Sequence, residues 1–201
     1  MSLQDEIARH AALLVVDEGM EYGPAKRKAI RHLRLQRVRD AELPGNDAIE
    51  REVRQYLDEL DDPAQRQALQ ALRRAALALM RELRVFRPHL CGAVWRGTAT
   101  QHSDIHLQLF ADDSKALEIE LANRGVDYRV GTVAHFAGRA PVEVLSFTVP
   151  CALPAGMAMA HLTLYGELDE RGALKSTTNQ MPDRGNLAAV AQLVESEQTP
   201  A

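Results

Sequence analysis

The chain predicts an α+β fold, a helical N-terminal half followed by a small mixed β-sheet unit, and two textures of the sequence predict it. Up to about residue 87 the apolar residues recur at spacings of three and four, the period of helices with one buried stripe. After Pro88 they alternate with polar residues or form short apolar runs closed by glycine, the texture of strands. With 201 residues and 46% hydrophobic content, the chain has material for one compact core, or for a small domain with a helical appendage. The expected divisions are a helical extension over 1–62, an α+β domain over 63–167 and a polar tail over 168–201.

Taken in order, "QDEIARHAALLVVDEG" puts Ile7, Ala11, Leu14 and Val15 on one stripe, with Gly19 as the stop. Pro24 sits where a second helix begins, running through a basic segment to about Arg39. "ELPGND" is a turn, and Asn46 or Asp47 caps a third helix reaching about Leu60. "DDP" repeats that grammar and opens a fourth helix over about 63–86, with Leu69, Leu72, Ala76, Leu79, Met80 and Leu83 along one side. "CGAVWRG" reads as a short strand, and "DIHLQLF" as a strand with Ile105, Leu107 and Leu109 on one face. "DSKALEIELANRG" is a helix with an acidic cap and a closing Gly125. Strands follow at about 128–136, 142–149 and 160–165, and the tail holds one short helix near Leu187–Val194.

The net charge of -4 argues against the whole molecule as an electrostatic partner of nucleic acid. The segment 23–40 is an exception, with Lys26, Arg27, Lys28, Arg31, Arg34, Arg37 and Arg39 against Asp40 alone. A basic helix over 24–39 would meet RNA, DNA or an acidic protein, or else be a solvated face paired with acidic neighbours. Cys91 and Cys151 show no metal-ligand spacing and read as buried free thiols of a reducing compartment, the alternative being one disulfide between them. The first residues lack the basic and apolar regions of a signal peptide, and no run is long enough to span a membrane, so the sequence reads as soluble and cytoplasmic. Phosphate-binding loop, dinucleotide, serine-hydrolase and zinc-protease signatures are all missing. His10, His32, His89, His102, His135 and His161 show no ligand spacing among themselves, although His102, Asp104 and His106 alternate.

Chemistry concentrates in "GTATQHSDIHLQLF", residues 97–110. Residues two apart on a strand share a face, about 6.5 to 7 Å between Cα atoms, so Asp104 and His106 address one spot. Gly97 and the small Thr98 let backbone approach a bulky group, and Thr98, Thr100, Gln101 and Ser103 offer hydrogen bonds to it. Lys115, at the start of the following helix, reaches a phosphate if that N-terminus borders the pocket. Arg84, Arg87 and Arg96 flank the motif, either neutralising phosphate or lying on the surface, and Trp95 reads as core or as a base-stacking ring. The Asp104/His106 pair itself has three readings: a solvent-facing strand edge, a degenerate nucleotide pocket, or a working metal site.

Gly97-Thr98 followed by Ser103-Asp104-Ile105-His106-Leu107 resembles the DNA polymerase β-like nucleotidyltransferase superfamily, over about residues 70–150. The resemblance implies a minimal nucleotidyltransferase-like domain that moves a nucleoside monophosphate from a nucleoside triphosphate to an acceptor with Mg²⁺ or Mn²⁺. It implies catalytic and metal roles for Asp104 and His106, triphosphate contacts for Gly97, Thr98 and Ser103, and a third metal ligand from a later strand, Glu143. The sequence departs from the family where its second acidic position is His106, a poor Mg²⁺ ligand that suits Mn²⁺ or Zn²⁺ better, and where the spacer before Asp104 is short. The implied alternatives are an enzyme, an inactive module of the same fold that binds nucleotide, RNA or a protein, and an interaction protein whose helical half forms a homodimer.

Overall fold

The computed structural model describes residues 2–35, 38, 39, 42–135, 137–170 and 184–198. The chain divides into two compact units, Met1–Arg66 and Gln67–Ala201.

The first unit is three helices, α1 (Leu3–Glu18), α2 (Tyr22–His32) and α3 (Asn46–Leu60). A capping box starts α1: the Ser2 hydroxyl accepts the Asp5 N–H, and the Asp5 carboxylate accepts the Ser2 N–H. Gly19, at φ 66°, ends it. Ile7, Ala11 and Leu14 pack with Ala25, Ala29, Ile49 and Val53. The basic helix is shorter than expected, stopping at His32 rather than about Arg39. Helices are held mainly by a packed apolar face, and the buried side chains of α2 are only Ala25 and Ala29. Arg34 then adopts φ 53° and turns the chain. Lys28 pairs with Glu18 and Arg39 with Glu42, whereas Arg37 and Asp40 lie outside the described residues.

The boundary falls within α4 (Pro63–Glu82), most of which belongs to the second unit; its first turn is capped by Asp62 accepting the Ala64 N–H at 2.8 Å. A 3₁₀ turn over Arg84–Phe86 completes the stretch expected as one helix. The strand expected from Cys91 to Gly97 is instead a three-residue strand, β1 (His89–Cys91), and a five-residue helix, α5 (Gly92–Arg96). Gly92 at φ 72° breaks the strand, and Gly97 at φ 87° ends the helix. There follow β2 (Ile105–Phe110), α6 (Ser114–Asn123), β3 (Arg129–Val133), β4 (Val142–Pro150), β5 (Met157–Tyr165), β6 (Arg184–Asn186) and α7 (Leu187–Gln198). The architecture is therefore α+β, as expected.

The strands make one six-stranded sheet in the order β3-β4-β5-β2-β1-β6. Only β2 and β5 run parallel, with His106 opposite His161; every other neighbouring pair is antiparallel. Ile105, Leu107, Leu109, Ala160, Leu162, Leu145 and Phe147 turn to one face and join Leu72, Leu79, Met80, Leu117, Leu121 and Val190 of the helices in the core. Trp95 is core, 4% exposed, and a β-carbon at Gly185 would collide with its ring. The other face carries Asp104, His106, Gln108, His161, Thr163, Ser146 and Thr148, all half-buried or exposed. Its far end is closed by Phe110 stacked on Tyr165, with Val142 against them. At the end where β2 begins, Gln101, His102 and His106 are exposed.

Candidate functional site

Register builds the site. Cys91 lies opposite His106, His106 opposite His161, and His161 opposite Ser146, so a polar row crosses the sheet from β1 to β4. Arg184 of β6 extends the row at one side and Arg129 of β3 at the other. Asp104, one residue ahead of β2, shares the face of His106 and brings its carboxylate to His161 Nε2 at 3.1 Å. His161 Nδ1 meets the Ser146 hydroxyl at 2.8 Å. The His106 and His161 rings stack with centroids 4.9 Å apart and planes inclined by 22°. One ligand atom from each of Asp104, His106 and His161 lies within 4.8 Å of the other two.

The flanks set the conformation of this row. A β-carbon at Gly92 would stand 3.6 Å from His106 Cδ2, so the helix turn passes directly beside the imidazole. The Arg184 guanidinium hydrogen-bonds the Gln108 side chain, one same-face position along β2 from His106, which sets a permanent positive charge beside the histidines. The Cys91 thiol donates to the His106 carbonyl at 3.4 Å, and burial pushes its pKa up to about 11. Both Cys91 and Cys151 are free thiols.

The Gly97-Thr98 turn has a structural explanation of its own. Arg73, buried in α4, donates to the carbonyls of Val94 and Trp95 at 3.0 and 3.2 Å and pairs with Glu197. A β-carbon at Gly97 would come within 3.3 Å of that guanidinium. Thr98 is 3% exposed. Ser103 accepts the Thr100 N–H at 2.9 Å and closes the polar turn.

Of the residues singled out in the sequence, Asp104 and His106 come together, and Ser103 stands just before them. Lys115 lies past the opposite end of β2 from Asp104, at the start of α6. Glu143 faces away. It sits on β4 three residues from Ser146, and with a period of two that places it on the side of Leu145 and Phe147. His102 belongs to the exposed turn and contacts Gln101, so the alternating His102/Asp104/His106 run is no ligand set. The third member is His161, which one-dimensional spacing could not find because 55 residues separate it from His106 and only the parallel β2–β5 register joins them.

The donor set does not fit Mg²⁺, which prefers an all-oxygen octahedral shell and keeps several waters; two imidazoles and one carboxylate are unsuited to it. Ser146, His161 and Asp104 also form a hydrogen-bonded chain of the residue types used in serine nucleophile triads. Ser146 lies in mid-strand, however, flanked on both sides by the ladders to β3 and β5 that take up main-chain N–H groups. No oxyanion hole is offered there.

No protein-family model matches the chain, and no curated protein sequence matches it. Among solved structures, a cytoplasmic RNA terminal U-transferase is similar at 18% identity, with a TM-score of 0.28. That match covers 62% of this chain and 32% of the other, so the chain spans about a third of that protein's length. A likeness of that order leaves the functional reading to the site itself. No helix among the described residues is long and apolar enough to cross a membrane.

Proposed function

We propose that residues 67–201 form a nucleotidyltransferase-like unit that binds a nucleoside triphosphate over the end of the sheet where β2 begins, with Asp104, His106 and His161 at its centre. The supporting observation is the convergence of the three side chains from β2 and the later strand β5, with ligand atoms within 4.8 Å. A later strand is where the resemblance asks for a third residue, and His161 takes that place in preference to Glu143. The reaction class is transfer of a nucleoside monophosphate: a bond forms between the α-phosphorus and an acceptor hydroxyl, and the α–β phosphoanhydride breaks to release pyrophosphate. Arg184, on the Gln108 side chain beside the histidines, supplies positive charge for phosphate oxygens, and the accessible part of the turn, Gln101 to Ser103, offers polar groups to the nucleotide. Asp104 Oδ1, the carboxylate oxygen not engaged by His161, takes the acceptor's proton.

The second reading is an inactive binding module of the same fold. Its support is that Asp104, His161 and Ser146 satisfy one another through hydrogen bonds. On either reading the cations of 24–39 are a contact for RNA or an acidic partner, and RNA binding there would fall steeply with salt.

Calorimetric titration with ATP, GTP, CTP and UTP, with and without divalent metal, tests the proposal on the intact chain, Asp104→Ala and Arg184→Ala. Binding that weakens in both variants is expected, and incorporation of label from an α-labelled triphosphate would separate the enzyme from the module. Silence with all four nucleotides would overturn the first reading and turn the module reading to RNA or protein partners.

A further inference from the structure

We propose that Asp104, His106 and His161 form a two-imidazole, one-carboxylate site for a divalent transition ion of the zinc class, selective against Mg²⁺. This deepens the nucleotide reading and rests on it for the role of the centre.

Geometry is the first support. With metal–ligand bonds of about 2.1 Å, neighbouring ligand atoms stand about 3.0 Å apart at 90° and about 3.4 Å apart at the tetrahedral angle. Asp104 Oδ2 and His161 Nε2 are already 3.1 Å apart, the edge of such a polyhedron. The largest separation in the set is bounded by 4.8 Å, so the exposed His106 ring needs a displacement of at most about 1.4 to 1.8 Å to complete one face. The exposed sheet end leaves the remaining positions to water or substrate, as in sites where two histidines and a carboxylate take one side of a metal.

The second support lies behind the ligands. A metal-bound histidine ordinarily engages its other ring nitrogen with a hydrogen-bonding partner, which fixes the tautomer and the ring's aim. His161 has that arrangement: Nδ1 meets Ser146 Oγ at 2.8 Å and Nε2 is the nitrogen directed at Asp104. His106 is oriented by its stacking on His161. Imidazole nitrogen favours zinc, iron, nickel and copper over magnesium by ligand type.

The test is titration of the chelator-stripped full chain with Zn²⁺, Co²⁺ and Mg²⁺ in the absence of nucleotide, read by a chromophoric competitor and by the visible bands of bound Co²⁺. One zinc per chain, a cobalt spectrum and no magnesium binding are expected. Asp104→Asn, His106→Ala and His161→Gln should each weaken zinc by about 100-fold or more, and Ser146→Ala by about 10-fold or more. His102→Ala, on the neighbouring turn, should leave affinity unchanged. Circular dichroism of each apo variant shows whether it folds, and His161→Gln keeps the ring's approximate volume. Zinc affinity unaltered in His106→Ala and His161→Gln would overturn the proposal, as would equal affinity for Mg²⁺. Zinc binding with no response to any nucleotide would sink the nucleotide reading alone. Nucleotide binding without zinc binding would sink this inference alone.

Discussion

The two faces of the sheet come from alternate residues of the same strands, yet different forces shape them. On the helix-covered face Ile105, Leu107, Ala160 and Leu162 are all 0% exposed, and burial of an isoleucine or leucine side chain contributes about 1.5–3 kcal/mol. On the other face His106 is exposed and Asp104, His161 and Ser146 are only partly covered, joined to one another by hydrogen bonds that contribute far less to stability. The difference teaches where to look for function. Folding demands the first set and is nearly indifferent to the second, so a row of imidazoles, carboxylate, hydroxyl and guanidinium on the open face is not explained by the fold's own needs.

The comparison can be broken from either side. The largest effect is expected for Leu107→Ala on the packed face, a loss of roughly 3–4 kcal/mol in chemical unfolding, since the surrounding helices cannot collapse onto the cavity. Arg73→Met should follow closely, at roughly 3 kcal/mol, because it strands Glu197 and two carbonyls. An Arg73→Met variant as stable as the parent in urea would mean that Gly97 and α5 are held by something other than this guanidinium. Gly97→Ala is smaller, about 1–2 kcal/mol, from the left-handed φ of 87° and the nearby guanidinium.

The smallest effect is with pH. Burial lowers the pKa of His89 below its usual value of 6.5, despite its hydrogen bond to the Arg87 carbonyl. The folded state then binds the proton less readily than the unfolded chain. Its contribution is present above pH 6.5 and is lost as the pH falls below it. Thermal melts from pH 7.5 to 5.5 should show a decline that is flatter in His89→Phe; parallel curves for the two proteins would contradict it.

The packed face was legible in the sequence because its information is local. A stripe at spacings of three and four marked α4, alternation marked β2 and β4, and glycines marked the ends of α1 and α6. Asp104 and His106 were legible for the same reason, being two residues apart on one strand. The 91–97 segment misled because its apolar run carries no period, and the positive φ of Gly92 and Gly97, which makes it a turn of helix, is invisible in composition. Glu143 drew attention as the nearest acid on a later strand, although its alternation with Leu145 and Phe147 already placed it on the wrong face. His161 and Arg184 were hidden because only the strand order joins them to His106.

The most direct test of the central claim measures one variant twice, by thermal melting of His161→Ala without and with zinc. The account predicts an apo melting temperature close to that of the parent, and loss of the upward shift that zinc gives the parent through preferential binding to the folded state. An apo destabilisation as large as that of Leu107→Ala, or a zinc shift retained in full, would show that the open face is a structural surface and not the functional one.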